Sequence, residues 1–289
     1  MIIDARVRLP HDRRPHQDTP PPERLVAGYQ AALGVADTAL AGVGELLAEL
    51  ELADACAVVH AEYEWGDPAD ALNEAVAELV AEHPGRLTGV GTVSQQRIEV
   101  PRALRQLDRI AELGLVGVSV QPAFFDMAID DRRLYPVYAK ALELDLVVFI
   151  HTGINYSRAH EMAGERPLLL DRVLVDLPDL RLVAGHASWP WTAELAAVAR
   201  RHPNLMLDFG GLAPRYLTHP GAGWQPLSHL IDNVLRGQVL FASDWPVQPI
   251  AKGADEWRAS GLREATVEAA LSGNAQRLGL APRHIGSAV

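Results

Sequence analysis

Cysteine is almost absent from this chain: its 289 residues contain one, Cys56, inside the apolar stretch ADACAVVHA. A single thiol cannot form an intrachain disulfide framework, and it cannot build a cysteine-rich metal site. We therefore expect Cys56 to be a buried, reduced thiol.

Positive charge is also scarce. Lys and Arg number 26 against 37 Asp and Glu, which gives a formal net charge of −11 and argues against nucleic-acid binding through a basic surface. The sequence has no apolar run near the ~20 residues that span a bilayer, and no signal peptide precedes the first predicted strand. We expect a soluble, cytoplasmic protein with no nucleic-acid or membrane partner, and a homo-oligomer is compatible with the sequence.

What the sequence does contain is a repeating pattern of short apolar runs and longer segments of helical period, with 48% hydrophobic residues overall. This pattern is typical of βα units around a parallel sheet. Strands are predicted at residues 2–8, 54–61, 86–93, 115–121, 146–152, 180–186, 204–209 and 238–244. Eight βα units close a barrel that takes roughly 250 residues. We predict an α/β fold, a single-domain (β/α)₈ TIM barrel over residues 1–289.

Amphipathic helices are predicted between the strands, for example at 68–82, 132–144 and 191–201. The Pro-rich, polar segment 10–24 is too long for a tight turn, so we predict a mobile loop over the barrel mouth. The chain after residue 260 is predicted to form helices packed outside the barrel.

The first strand, IIDARVR, ends in two arginines. Side chains alternate along a strand, which would place Asp4, Arg6 and Arg8 on one face. The opposite face would carry Ile3, Ala5 and Val7. The pattern aims two permanent cations at one spot, and such a pair needs a counter-anion.

Catalytic groups of such barrels come from the C-terminal ends of the strands. In chain order these ends carry Arg6 and Arg8, His60, Thr92, Gln121, His151, His186, Asp208 and Asp244. A His, a His and an Asp close three of the last four predicted strands, which indicates a catalytic site.

Six segments, taken in order and at strand spacing, carry a family resemblance: MIIDA at the start, FIHTG at 149–153, VAGHASWPW at 183–191, HPNLMLDFGG at 202–211, VLFASDWP at 239–246 and LSGNAQRLGL at 271–280. With these, the chain resembles the amidohydrolase-related branch of the amidohydrolase superfamily, which includes aromatic and aminomuconate-type decarboxylases and several lactone hydrolases. In metal-using members the first strand ends in His-x-His, and these ligands join a His of strand five and an Asp of strand eight. The resemblance implies His151 and Asp244 as those last two, and His186 as the catalytic His of strand six.

The first pair of ligands is missing, because Arg6 and Arg8 stand where the two histidines would be. Arginine has no lone pair to donate. A divalent ion about 4 Å from one guanidinium would meet a repulsion of roughly 8 kcal/mol at an effective dielectric near 20. We therefore predict no cofactor, with the guanidinium charges replacing that of zinc or manganese. If a metal is present, His151, His186 and Asp244 remain to hold it.

The predicted catalytic residues are Asp244, held ionised by Arg6, together with His186 and His151. Arg6 is predicted as the main anion binder, whereas Arg8 either faces the cavity or pairs with the Asp12 loop at the rim. The predicted substrate-binding residues are Arg6, Arg8, His60, Gln121, Trp189, Arg215, Tyr216 and Trp245. Arg215 and Tyr216 are a candidate carboxylate clamp, and plain packing is the alternative for the tryptophans and for His60.

Three functions fit these residues, all with a small-molecule substrate, expected to be a carboxylate. The first is metal-independent hydrolysis of a lactone, ester or amide, in which Asp244 or His186 deprotonates water and the arginines stabilise the oxyanion. The second is a carbon–carbon lyase (decarboxylase) or a cyclising enzyme, with His151 or His186 as proton donor. The third is a catalytically inactive binding protein on the same fold. The sequence alone places hydrolysis narrowly first.

Overall fold

The structure, a computed structural model, describes residues 1–15, 41–62, 68–212, 214–219 and 223–282. Its eight strands lie in one parallel sheet in sequence order: β1 Ile2–Arg8, β2 Ala55–His60, β3 Leu87–Thr92, β4 Gly117–Val120, β5 Val147–Ile150, β6 Leu182–Ala184, β7 Leu205–Asp208 and β8 Val239–Leu240. Each strand lies within a predicted one. The predicted (β/α)₈ barrel is confirmed.

Helices alternate with the strands on the outside of the sheet. They are α1 Val43–Leu52, α2 Ala69–Glu82, α3 Val100–Glu112, α4 Tyr135–Glu143, α5 Leu168–Asp176, α6 Thr192–Arg201, α7 Gln225–Ile231, α8 Ile250–Arg258, α9 Glu264–Glu268 and α10 Asn274–Arg277. A single π turn, Ala269–Gly273, joins the last two. The three helices predicted at 68–82, 132–144 and 191–201 are confirmed to within three residues at each end. In the described ranges, no helix is both long and apolar enough to cross a membrane.

The buried apolar residues form two cores. The outer core lies between strands and helices, whereas the inner core fills the barrel with Ile3, Ala5, Cys56, Val58, Val90, Val147, Phe149, Val183, Met206 and Leu240. Cys56 is a free, buried cysteine, as predicted, and burial raises the pKa of its thiol to about 11.

A β-bulge in β1 decides which way the two arginines point. Ile3 and Ala5 belong to the inner core, but Val7 belongs to the outer one. The register between β1 and β2 shifts between these positions, so that Arg6 and Arg8 both turn inward after Ala5. The predicted alternation, with Ile3, Ala5 and Val7 on one face, is therefore wrong at Val7.

The seam where the barrel closes lies between β1 and the residues that follow β8. Three backbone hydrogen bonds cross it, from Ala5 to Phe241, from Asp244 to Arg6 and from Arg8 to Trp245. Asp4 Oδ1 accepts two further N–H groups, that of Arg6 at 3.1 Å and that of Ser243 at 3.0 Å. Burial raises the pKa of Asp4 to about 7, although these hydrogen bonds oppose the shift.

The two ends of the chain differ in part from expectation. Helices follow residue 260 as predicted, but Ala275, Leu278 and Leu280 pack against the inner core, so the tail also closes the barrel floor. Of the predicted loop 10–24, His11–Arg13 forms a 3₁₀ turn, and the part from residue 16 onward lies outside the described residues.

Candidate active site

A cavity, partly open to solvent, lies at the C-terminal ends of the strands. It is lined by Arg8, His151, Ile154, Tyr156, His186, Gly210, Gly211, Leu212 and Asp244. The structure thus brings together the three predicted catalytic residues and one of the two arginines. Ile154, Tyr156 and Leu212 add an apolar wall that the sequence did not indicate.

Arg6 lies beneath this cavity and is 1% exposed. Its Nε and Nη2 donate to Asp208 Oδ2 at 3.0 and 2.8 Å, and its Nη1 donates to Glu62 Oε1 at 3.2 Å. Burial disfavours the charge on Arg6, but Asp208 and Glu62 outweigh it and raise the pKa of the guanidinium. All three nitrogens of the buried guanidinium thus donate to a carboxylate, as a buried charge requires.

Arg8 forms the wall of the cavity, with its side chain 19% exposed. Its Nε and Nη2 donate to Asp244 Oδ1 and Oδ2 at 3.0 and 3.1 Å, a two-pronged contact that fixes both groups. The predicted pairing of Arg6 with Asp244 is therefore wrong, because the bulge places Arg6 one layer deeper. Asp12, the alternative partner of Arg8, instead accepts the N–H of Val43 at the start of α1.

Glu62 joins the two arginines. Its Oε1 accepts from Arg6, while its Oε2 lies 3.3 Å from Nη1 of Arg8. Burial would raise the pKa of Glu62, but the charges of Arg8 and Arg6 lower it to about 2. In the same way burial opposes ionisation of Asp208, yet Arg6 and then His186 hold the pKa of its carboxyl below the usual value. Both carboxylates therefore remain charged at neutral pH.

His186 stands at the end of β6 in a strained backbone. His186, Ala187 and Ser188 have φ values of 55°, 43° and 50°, a left-handed conformation that costs non-glycine residues of order 1–3 kcal/mol each. Asp208 Oδ1 accepts the backbone N–H of His186 at 3.1 Å, and Thr152 bonds to Ser188 Oγ at 2.7 Å. These contacts hold the turn in place.

The ring of His186 has a defined tautomer. Its Nδ1 lies 2.7 Å from the carbonyl oxygen of Gly210, which can only accept, so Nδ1 carries the proton. Burial lowers the pKa of His186, and the nearby His151 lowers it further. His186 is therefore neutral at physiological pH, with Nε2 as a lone-pair acceptor.

His151 follows β5, and its ring centroid lies 4.6 Å from that of His186. Its Nδ1 makes a short contact with Glu165 Oε1. Glu165 is fully buried and comes from a 3₁₀ turn, Ala163–Glu165, in the loop between β5 and α5. The two cavity histidines thus have different partners, a carboxylate for His151 and a carbonyl for His186.

Glycine is needed where chain segments approach Arg6. A Cβ atom at Gly185 would lie 3.2 Å from Arg6 Nη2, and one at Gly210 would lie 3.0 Å from Arg6 Cδ. The glycines of the segments GHAS and DFGG therefore make room for the buried guanidinium.

The side chains present do not fit the divalent metal centre that the family resemblance implies. Two ligand positions are arginines, and both oxygens of Asp244 are engaged by Arg8. Within the described ranges, no group of three or more His, Cys, Asp or Glu side chains is arranged to hold a metal ion.

Some predicted substrate-binding residues lie away from the cavity lining. His60 is fully buried, its Nε2 donates to the carbonyl of Ala5 at 2.9 Å, and burial together with Arg6 lowers its pKa to about 3. Gln121 is buried too, and its side chain bonds to Gln95 and Ser119. Both residues are placed as parts of the barrel interior.

The remaining candidates also lie outside the cavity lining. Trp245 is buried in the outer core, and Trp189 packs against that core while half-buried. Arg215 pairs with Glu256 and stacks on the ring of Tyr216 at 4.7 Å. Arg215 lines a separate surface pocket, so the structure does not bring the proposed clamp to the two histidines.

Sequence reasoning missed the roles of Asp208, Glu62 and Glu165. Asp208 was visible as a strand end, and the two arginines of β1 called for counter-anions. Glu62 lies two residues beyond β2 and Glu165 fourteen residues after His151, positions for which the sequence offers no periodic signal.

Comparison with known proteins decides the family. A family model for amidohydrolases matches residues 3–278. The chain belongs to the amidohydrolase family. This amidohydrolase is similar to the 2-amino-3-carboxymuconate-6-semialdehyde decarboxylase of Dictyostelium discoideum, with 26% identity over 75% of this chain and 70% of the relative. It is also similar to the gamma-resorcylate decarboxylase of Polaromonas sp. (strain JS666), with 26% identity over 71% of this chain and 74% of the relative.

Among solved structures, an uncharacterized TIM-barrel protein of Bordetella bronchiseptica matches the amidohydrolase with a TM-score of 0.78. The identity is 27%, over 98% of this chain and 99% of that one. Both of these curated relatives are named as decarboxylases, so they favour the lyase interpretation. Hydrolysis, ranked first from the sequence, is supported only at the level of the family.

Proposed function

We propose that this amidohydrolase is a carbon–carbon lyase that decarboxylates a small unsaturated or aromatic acid with a hydroxyl or amino group beside the carboxylate. We propose further that it works without a bound metal. The observation that carries the proposal is the pair of imidazoles, His151 and His186, facing one small cavity whose wall is the Arg8–Asp244 ion pair. The named activities of the two decarboxylase relatives support this class of reaction.

Decarboxylation needs a base that raises electron density at the carbon and an acid that protonates it. His186 is suited to be the base, since its lowered pKa keeps it neutral and its Nε2 can accept a proton from the substrate hydroxyl. Arg8 stabilises the resulting oxyanion, a task for which a fixed guanidinium is well suited. Asp244 holds that guanidinium in place.

His151 then donates a proton to the carbon that bears the carboxylate. The bond from that carbon to the carboxylate breaks, CO₂ leaves, and the electron pair restores the unsaturation. His186 returns its proton to the oxygen, and His151 is reprotonated from solvent. The net reaction consumes one proton and releases one CO₂.

The apolar wall agrees with a flat, unsaturated substrate. Ile154, Tyr156 and Leu212 line the cavity together with the charged groups.

The test is CO₂ release from a panel of hydroxy- and aminocarboxylates, both aromatic and open-chain. We expect turnover with at least one of them, and loss of roughly 10²–10⁴-fold in kcat for His151→Gln and for His186→Gln. His202→Gln is the matched control, because His202 pairs with Asp171 away from the cavity. Hydrolysis of a lactone or ester without any CO₂ release would contradict the proposal.

A further inference from the structure

We propose that Glu165 is the positioning residue for His151: it accepts the Nδ1 proton, so that Nε2 is the atom presented to the cavity, and it stabilises positive charge on the ring. The assignment of His151 as proton donor rests on the proposed function. The contact between the two side chains does not, and it can be tested without a substrate.

The first support is the burial of the carboxylate. Glu165 is 0% exposed, its Oε1 contacts His151 Nδ1, and its Oε2 has no hydrogen-bond partner in the described part of the chain. A buried carboxylate is costly to keep charged unless a partner compensates it. The imidazole of His151 is that partner, and its charged form satisfies the carboxylate better than its neutral form.

The second support is that Glu165 is fixed from both sides through its backbone. Its N–H donates to the carbonyl of Met162 at 3.0 Å, and its carbonyl accepts the N–H of Gly153 at 3.2 Å. Gly153 has φ 90°, and a Cβ atom there would come within 2.7 Å of the carbonyl oxygen of Trp189. Backbone hydrogen bonds therefore fix the loop that places the carboxylate beside His151. A substitution of the Glu165 side chain does not remove these backbone hydrogen bonds.

The third support is the packing of the ring. Phe124 meets His151 edge to face at a centroid distance of 5.3 Å, and His186 lies on another side at 4.6 Å. The remaining charged groups of the cavity lining are Arg8 and Asp244, which pair with each other. Glu165 is thus a carboxylate in direct hydrogen-bond contact with His151.

The comparison of the two histidines gives the chemical consequence. Both rings bond through Nδ1, so both present Nε2, but the partner of His186 is a neutral carbonyl and that of His151 is a carboxylate. A carboxylate favours the imidazolium far more than a carbonyl does. Two residues of the same type are in this way set apart as an acid and a base, the arrangement that proton transfer in both directions requires.

The experiment is ¹⁵N NMR of the full chain labelled at histidine, with the His151 signals assigned by their loss in His151→Asn. In the wild type we expect a proton on Nδ1 with a strongly downfield resonance, the signature of a short bond to a carboxylate. Glu165→Gln should remove that downfield resonance, and Glu165→Asp should retain it in weakened form. With a substrate in hand, Glu165→Gln should lower kcat by roughly tenfold to a hundredfold with little change in KM, because Glu165 does not line the cavity.

Asp171→Asn is the matched control, since Asp171 Oδ1 bonds to His202 Nε2 at 2.7 Å far from the reacting groups. It should change the His202 signals and leave kcat and the His151 signals unaltered. A wild-type His151 protonated only on Nε2, or His151 signals and kcat unchanged in Glu165→Gln, would overturn the proposal. If Glu165→Gln does not fold, the wild-type spectrum alone decides. Absence of CO₂ release would count against the proposed function and leave this assignment standing.

Discussion

Arg6 and Arg8 are two residues apart, belong to one strand and share Glu62, yet they belong to different regions of the molecule. Arg6 is sealed below the cavity between Asp208 and Glu62, with 1% of its surface exposed. Arg8 faces the cavity, where its fork holds Asp244. The difference in burial means that Arg6 stabilises the fold, whereas Arg8 is accessible to a ligand in the cavity.

The largest effect is expected from breaking the deeper region. Arg6→Met leaves the buried Asp208 without its cation and Glu62 with Arg8 alone, and it should lower the free energy of unfolding by about 3–5 kcal/mol. Arg8→Met should lower it by about 1–2 kcal/mol, since Asp244 borders an open cavity. Urea denaturation of both variants measures the difference. Equal losses would show that depth does not separate the two arginines.

Substitutions of Arg8 and Asp244 at the cavity should mainly lower catalytic activity. Arg8→Met should reduce kcat by roughly 10²–10³-fold, the usual cost of removing a group that stabilises a developing oxyanion. Arg8→Lys keeps the charge but loses the two-pronged contact with Asp244, so part of the loss should remain. Asp244→Asn should also lower kcat, because it releases the guanidinium. Steady-state kinetics of the three variants on the identified substrate tests this, and near-normal kcat in Arg8→Met would remove Arg8 from the mechanism.

Asp4, which has no guanidinium partner in the described residues, and Glu62, which contacts two arginines, should contribute to stability with opposite pH dependence. Asp4 has a pKa of about 7 against an ordinary value of 3.8, so its contribution to stability is complete below 3.8 and is lost as pH rises through about 7. Glu62 has a pKa of about 2 against 4.5, so its contribution is present above 4.5 and is lost as pH falls towards 2.

Asp4→Asn should therefore gain stability relative to the wild type as pH rises from 3.8 to about 7, by at most ~1.4 kcal/mol per pH unit. Glu62→Gln should differ from the wild type by less as the pH falls below 4.5. Unfolding free energies measured across pH for the two variants check both slopes. A flat difference for Asp4→Asn would mean that Asp4 titrates as it does in the unfolded chain.

The smallest effect is expected at Arg215. The side chain of Arg215 is half-exposed where it pairs with Glu256. Arg215 also lines a different pocket from the two histidines. Arg215→Ala should change the free energy of unfolding by no more than about 0.5 kcal/mol. The kcat/KM of the variant should stay within about twofold of wild type. A tenfold loss would instead support the prediction from the sequence that Arg215 binds the substrate carboxylate.

How far the sequence reached can be judged from β1 and its neighbours. Strand periodicity located all eight strands, and strand ends pointed to His151, His186 and Asp244, which share one cavity. The bulge between Asp4 and Val7 was not predictable, because nothing in the composition of the strand marks the inserted residue. In the structure Asp244, the expected partner of Arg6, pairs with Arg8 instead, and Arg6 pairs with Asp208 and Glu62.

The carboxylates that complete the site lay beyond pattern reasoning for another reason. Glu62 and Glu165 come from loops, where no period links sequence position to direction. Only the fold brings Glu165 back to His151, and only the depth of Arg6 makes Glu62 a bridge. Two neighbouring guanidinium groups require counter-anions, so the sequence indicated that carboxylates lie near them. It did not indicate which carboxylates these are.

The central claim is that this amidohydrolase works without a bound metal and that the Arg8 guanidinium supplies the positive charge at the cavity, and metal content with turnover tests it most directly. Elemental analysis of the purified protein is combined with kcat measured before and after dialysis against a chelator. The account predicts substoichiometric metal and unchanged turnover after dialysis. One equivalent of a divalent metal per chain, with turnover lost to the chelator and restored by that ion, would contradict it.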